Sequence, residues 1–379
     1  MVINKKIVIS CSNAGSLINF RGRLIEILLK NNIVHVIAPV IEDDIKKKLL
    51  DLGVNVHETS LNRNSISLYS DLKYITQLFR IIRRVKPDMF FAYTFKPIVF
   101  GSMVATLCKV DNIIGMLTGL GYSFTDSSNK FASLIVQQTL KFSLRFNKNL
   151  KIIFQNKDDY QELIDKRIIS LRSKAFVVNG SGVDLSHYSY SAPDILKINF
   201  IMMSRLIKSK GINEYYQAAT VIKKKYPHVK FNLAGGYQKG STDSIDDELF
   251  SKIKANDVIE YHGWVADIRG LIKESTTVVL PSFYREGVPR SLLEGLAMGR
   301  PIITTDMIGC KETICNLPGK ENGFTVPVQD VSSLISKMEY LINNPQEMII
   351  LGKNGRLLAE EKFDVEKVNQ RMIEIFESH

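Results

Sequence analysis

Cysteine is scarce in this chain: four in 379 residues, Cys11, Cys108, Cys310 and Cys315, with no CxxC pair and no cluster with the six histidines. A disulfide scaffold and a zinc ribbon are thereby excluded, and reduced packing thiols are the expectation. Long apolar runs are missing as well. No stretch of about 18 apolar residues occurs, so no segment reads as a bilayer-spanning helix. Between Met1–Lys6 and Cys11-Ser12-Asn13 lie only four apolar-leaning residues, too few for a signal-peptide core, and a cytoplasmic location is expected. GxxxxGK[ST], a strand-linked GxGxxG and a DxD pair are absent, which weakens ATPase and dehydrogenase readings. Neither HExxH nor GxSxG occurs, so zinc protease and serine hydrolase chemistry fall away.

What is present is ordinary globular composition, 45% hydrophobic and 23% charged. The length is about twice the ~150 residues that suit a single core, so two domains are expected. The net charge of +11 is one-sided: residues 1–180 hold 26 of the 50 Lys and Arg but only 14 of the 39 Asp and Glu. The second half is therefore nearly neutral. Such a basic half suits a polyanionic surface, nucleic acid or an anionic leaflet, if it serves more than solubility. Two segments favour the membrane. In 68–86, Leu72, Ile75, Leu78, Phe79 and Ile82 recur at helical spacing beside Lys73, Arg80, Arg83, Arg84 and Lys86. In 130–148, Phe131, Leu134, Ile135, Phe142 and Leu144 accompany Lys130, Lys141, Arg145 and Lys148. Basic amphipathic helices lie on headgroups, although the same pattern also covers the sheets of α/β domains.

Short apolar runs alternate with helical patterns. In the first half they are Ile7–Ser10, Val34–Pro39, Gly53–Val56, Met89–Ala92, Asn112–Gly115 and Lys151–Phe154. The alternation restarts with Asn199–Met203, Val229–Leu233, Val258–Tyr261, Thr277–Leu280 and Pro301–Thr304, and ends in helical patterns from Val331 onward. The pattern predicts an α/β protein with two Rossmann-like, doubly wound parallel sheets whose strand ends face a cleft. The Ser-, Gly- and Pro-rich stretch 180–194 reads as the linker. Expected domains are 1–183 and 184–361, with a helix at about 362–379 returning to the first.

Arg205 and Lys210 follow the run Asn199–Met203 at a strand-to-helix turn. A guanidinium fork and an ammonium suit a diphosphate and the charge it develops on leaving. After Thr277–Leu280 comes Pro281-Ser282-Phe283-Tyr284-Arg285-Glu286-Gly287-Val288-Pro289-Arg290-Ser291-Leu292-Leu293-Glu294. Pro289 marks a helix start, so 291–298 reads as a helix with Glu286 in the loop and Glu294 in the first turn. Two carboxylates so placed can accept sugar hydroxyls, and the helix amides can meet phosphate. By spacing alone they could equally be two solvated side chains.

The flanking residues resolve that choice. This stretch resembles the ExxxxxxxE signature of family 4 glycosyltransferases, two-domain enzymes of the B architecture that use nucleotide-sugar donors. Ser204-Arg205-Leu206 with Lys210-Gly211, Gly309-Cys310-Lys311-Glu312-Thr313, Asn322-Gly323-Phe324 and Asn179–Asp184 resemble further segments of that family. Within it the chain looks most like bacterial enzymes of O-antigen, capsule or glycoprotein oligosaccharide synthesis on undecaprenyl diphosphate. The resemblance implies that Arg205 and Lys210 hold the donor diphosphate, Glu286 the donor sugar and Glu294 the ribose. It also implies a close backbone approach at Gly15, amides to phosphate and sugar from Gly287, Val288, Pro289 and Arg290, and a base pocket at Gly263-Trp264-Val265. Many relatives carry a sugar-contacting histidine in the first domain. Here the corresponding stretches, Ala92–Lys96 and Gly115–Tyr122, contain none, leaving Lys96, Thr118 and Gly119 as local candidates.

The expected activity is retaining transfer of a hexose or N-acetylhexosamine, N-acetylgalactosamine in the first instance, from a UDP-sugar to an undecaprenyl-diphosphate-linked saccharide in O-antigen or surface-polysaccharide synthesis. Catalysis would rest on Arg205, Lys210 and Glu286, with no metal or other cofactor. The partners are then a UDP-sugar, the lipid-linked acceptor and an anionic membrane surface, with peripheral attachment at the inner face of the bacterial inner membrane. A GDP-mannose-dependent or lipopolysaccharide-core transferase is the alternative. A basic nucleic-acid-binding protein is the other class, disfavoured by the lack of recognition modules.

Overall fold

The computed structural model describes residues 3–62, 67–121, 124, 130–147, 149–240 and 243–378. Tyr122 and Lys148, named above, lie outside these. The chain forms two units, Met1–Ser181 with Glu366–His379, and Gly182–Val365. Val183 N–H donates to Phe363 O (2.8 Å) and Val365 N–H to Val183 O (3.1 Å), which keeps both segments with the second unit.

The first unit is built on a sheet of β1 (Lys6–Ser10), β2 (Ile33–Pro39), β3 (Asn55–Thr59), β4 (Met89–Tyr93), β5 (Asn112–Leu117), β6 (Lys151–Phe154) and β7 (Lys174–Val177). All pairings are parallel, in the order β3-β2-β1-β4-β5-β6-β7. Ile7, Val8 and Ile9 are fully buried, as are Phe90, Phe91 and Ala92. A parallel sheet covered on both faces demands such unbroken apolar strands. The edge strand β7 is only half-buried and opens with Lys174, so it carries little hydrophobic pattern and escapes sequence inspection. Helix Leu68–Val85 covers one face through Tyr74, Leu78 and Ile82, and helix Lys130–Phe146 does so through Leu140 and Leu144. On the other face, helix Val365–Glu377 buries Met372, Ile375 and Phe376, with the Phe376 ring 5.2 Å from Phe91. Lys151 Nζ caps that helix, donating to Ile375 O (3.0 Å) and Phe376 O (3.2 Å). A cation at a C-terminus meets the negative end of the helix dipole.

The second unit repeats the plan with β8 (Asn199–Met203), β9 (Lys230–Ala234), β10 (Glu260–Tyr261), β11 (Thr277–Leu280), β12 (Ile302–Thr305) and β13 (Gly323–Val326), parallel in the order β10-β9-β8-β11-β12-β13. In each sheet the order in which strands are added reverses beside its first strand, between β1 and β4 and between β8 and β11. Crevices at the carboxyl ends of such strand pairs are where doubly wound sheets bind ligands.

Candidate active site

At the β8–β11 switch point the chain leaves β8 through Ser204 and exposed Arg205, and forms a single tight turn, Lys208–Lys210. Gly211 follows in the left-handed region at φ 80°, and a Cβ there would stand 2.1 Å from Pro281 O. Only glycine permits this approach of the two loops. The loop from β11 closes on the turn from the other side. Phe283 N–H donates to Ser209 O (2.8 Å), and Ser282 Oγ lies 3.2 Å from Ser209 O and 3.3 Å from Glu286 Oε1.

Lys210 Nζ forms an ion pair with Glu286 Oε1, the two side chains being only 11% and 15% exposed. The ammonium also faces the Tyr284 ring, 5.7 Å from its centroid. Gly309 lies beneath: a Cβ there would be 2.5 Å from both Glu286 O and Gly287 O. The neighbouring Cys310 thiol is pushed up to about 12 by burial and, secondarily, by the Glu286 charge. It stays protonated and packs as an apolar group.

The following helix is Arg290–Ala297, with Pro289 just outside it. It begins one residue earlier than 291, so Glu294 is its fifth residue, past the first turn where the sequence pattern put it. Arg290 and Glu294 become i, i+4 neighbours, and Arg290 Nε donates to Glu294 Oε1 at 2.8 Å. Tyr188 OH donates to the same oxygen at 2.9 Å. No motif singled out Tyr188. It falls in the stretch read as linker, and its only local signal is an aromatic among small polar residues.

The structure therefore joins Lys210 with Glu286 and Arg290 with Glu294, in the loops and the helix that follow two adjacent strands. Arg205 stands at the same strand ends, exposed, without a carboxylate partner among the described residues. Val265 is half-buried and Trp264 is 77% exposed, so the indole is a surface group and not a core one. Gly15 belongs to the first unit, where it opens the short helix Gly15–Asn19 after β1; a Cβ there would meet Asn13 Oδ1 at 3.3 Å. Among the candidates for the missing histidine, Lys96 is bound to Asp71 at 2.5 Å, both side chains largely buried. Thr94, two residues earlier, holds φ 71° and accepts the Ser12 N–H at 3.2 Å.

Paired cations and carboxylates at the switch point of a doubly wound sheet are the equipment of an enzyme that handles a phosphorylated, hydroxyl-rich ligand. Comparison with known proteins gives the class of enzyme. A family model described as "Glycosyl transferases group 1" matches residues 197–344, and one described as "Glycosyl transferase 4-like" matches 11–156. A Campylobacter jejuni N,N'-diacetylbacillosaminyl-diphospho-undecaprenol alpha-1,3-N-acetylgalactosaminyltransferase is 26% identical, over 97% of each chain. An Escherichia coli UDP-Gal:alpha-D-GlcNAc-diphosphoundecaprenol alpha-1,3-galactosyltransferase is also 26% identical, over 81% of this chain and 79% of its own length. Among solved structures, Anabaena HepE in complex with UDP and glucose shares the fold with a TM-score of 0.77 at 18% identity, covering 99% of this chain and 100% of that one. The chain belongs to the family 4, B-fold glycosyltransferases and is a glycosyltransferase enzyme.

Proposed function

We propose that this chain is a retaining transferase that moves an N-acetylhexosamine, N-acetylgalactosamine first among them, from a UDP-sugar to an undecaprenyl-diphosphate-linked saccharide in surface-polysaccharide synthesis. The observation that carries the donor side is the buried Lys210–Glu286 pair beside exposed Arg205. Arg205 and Lys210 neutralise the diphosphate, Glu286 accepts from the sugar hydroxyls, and Glu294 accepts from the ribose. The relatives' named substrates support the acceptor: both act on undecaprenyl diphosphate carrying a sugar, and both make an alpha-1,3 bond.

In this reading the acceptor hydroxyl attacks the anomeric carbon on the face from which the diphosphate leaves. The anomeric C–O bond breaks, the electron pair goes to the diphosphate oxygen, and that oxygen takes the acceptor proton. The protein supplies fixed positions and positive charge, and needs neither a nucleophile nor a metal.

The reading extends to attachment. No helix among the described residues is long and apolar enough to cross a membrane. Helices Leu68–Val85 and Lys130–Phe146 nevertheless expose Leu68, Tyr69 and Leu72, and Leu134, Ile135, Phe142 and Phe146, alongside their cations. This combination of apolar and basic groups supports a peripheral position on the anionic inner face of the membrane, where the acceptor lipid is found.

The test is incubation of the enzyme with radiolabelled UDP-sugars and short polyprenyl-diphosphate acceptors bearing one N-acetylated sugar. Label is expected in the lipid fraction, most from UDP-N-acetylgalactosamine. Release of UDP without labelled lipid would overturn the acceptor, and turnover only with GDP-mannose would overturn the donor.

A further inference from the structure

Tyr188 is tied into its unit by its own turn and by contacts to the helix carrying Glu294. The turn from Asp184 closes through Tyr188 N–H donating to Asp184 O (2.9 Å), while Asp184 Oδ1 accepts the N–H groups of Ser186 and His187 at 3.0 Å each. Arg356 Nη1 then donates to Tyr188 O (3.1 Å) and to Ala297 O (2.8 Å), clamping the turn to the end of helix Arg290–Ala297. The Tyr188 ring is 7% exposed and stands edge-on to His187, with 4.9 Å between centroids. Its hydroxyl thus reaches Glu294 from a fixed frame. Burial and then the Glu294 charge hold the phenol far above its ordinary range, so it remains a donor at any working pH.

Both donors to Glu294, Tyr188 OH and Arg290 Nε, converge on Oε1. A carboxylate offers about four acceptor sites on two oxygens, and two donors on one oxygen fix its plane. Arg290 is charged and stands near the proposed phosphate position, so an arriving anion competes for it. Tyr188 is neutral and does not follow a phosphate.

We propose that Tyr188 is a positioning residue for donor recognition: by holding Glu294 Oε1 it aims Oε2 at the vicinal hydroxyls of the donor's ribose. This rests on the reading above, in which Glu294 grips that ribose. The role is specific to the sugar of the nucleoside, so its signature is loss of ribose discrimination.

The experiment is calorimetry of the full chain and of Tyr188→Phe with UDP and with 2′,3′-dideoxy-UDP, together with donor kinetics. Tyr188→Phe keeps the ring and removes only the hydroxyl. The wild type is expected to prefer UDP. In Tyr188→Phe, UDP affinity falls about tenfold, which is about 1.4 kcal/mol, while affinity for the dideoxy analogue changes less than twofold. KM for the UDP-sugar rises with kcat within about twofold. Equal weakening of both nucleotides, or loss in kcat at constant KM, overturns the proposal in favour of a packing role. Should Tyr188→Phe fold poorly, the same contrast is read from Tyr188→Met, which also removes the hydroxyl and fills the ring's space with a flexible side chain; equal weakening of both nucleotides in it overturns the proposal. Wild-type silence towards UDP and every UDP-sugar removes the donor reading itself, whereas normal UDP binding with an unaltered Tyr188→Phe removes only the role of Tyr188.

Discussion

The two units share one topology and differ at the same place in it. At the β8–β11 switch point stand Arg205, Lys210, Glu286, Arg290 and Glu294, a set of charged groups held by short loops and the start of one helix. At the β1–β4 switch point the loops carry Cys11, Ser12, Asn13, Ser16 and Thr94, all neutral, and the nearby Lys96 is taken up by Asp71. Yet the first half of the chain holds the whole excess of positive charge. Net charge and chemical charge are therefore separated. Many cations of the first unit, Lys73, Arg80, Arg83, Arg84, Lys141 and Arg145 among them, lie on its helices and bias it toward anionic surfaces, whereas the nearly neutral second unit concentrates a few charged groups where a ligand's phosphates would lie.

The sharpest way to break this contrast is at Arg205. Because it is exposed and bonded to no carboxylate among the described residues, Arg205→Ala is expected to leave the melting temperature unchanged. Turnover should fall about 10²–10³-fold, the scale for removing one donor to developing charge. Wild-type rates would strip the second switch point of its diphosphate role.

Next in size is a matched pair of truncations. Lys96→Ala leaves Asp71 buried in the first unit, and Lys210→Ala leaves Glu286 buried in the second. Breaking a buried pair from one side costs about 3–5 kcal/mol, so both variants should lose comparable stability in urea unfolding. Only Lys210→Ala should abolish UDP binding in calorimetry. If Lys96→Ala abolishes it equally, the first switch point is not neutral toward the donor.

How much of this was legible beforehand follows the same division. The inner strands of both sheets announce themselves because parallel strands buried on two faces are continuously apolar; the half-buried edges β7 and β13 do not, and neither is among the runs read from the sequence. The positions of Arg205, Lys210 and Glu286 follow from their place after a strand, since a strand's end fixes where its loop begins. Their pairing does not follow. That Lys210 turns onto Glu286 depends on the Gly211–Pro281 approach, a contact between loops some seventy residues apart. Tyr188 was hidden for the same reason. Its segment has linker composition, and Arg300 and Arg356, far along the chain, hold it against the Glu294 helix and its end.

A smaller effect concerns the basic helices. If helix Lys130–Phe146 meets lipid through Phe142 and Phe146, Phe142→Asp should reduce sedimentation with vesicles containing anionic lipid severalfold at low salt, without changing UDP affinity. Each Lys or Arg near such a surface contributes about 1 kcal/mol, and salt screens it within about 10 Å. Retention unaffected by the substitution and by salt would leave the excess charge as a solubility device.

The smallest effect separates the units by acid. On the first sheet, β2 and β3 bring His35 Nδ1 within 3.0 Å of His57 Nε2, the rings stacked at 5.3 Å. Burial lowers both from their ordinary value of 6.5; His57 and Lys6 lower His35 further, and Arg84 lowers His57 further. Because the folded pair releases protons more readily than the unfolded chain, the unfolded state binds more of them as pH falls below about 6.5. The pair's contribution is thus complete above that pH and lost progressively toward the lowered folded values. Hydrogen exchange followed from pH 8 to 5.5, corrected for intrinsic rates, should show β2 and β3 losing protection before β8 and β11. His57→Gln should flatten that loss, because one of the two rings that must charge is gone. Equal acid sensitivity in the variant would mean that carboxylates elsewhere, and not this pair, set the acid limit of the first unit.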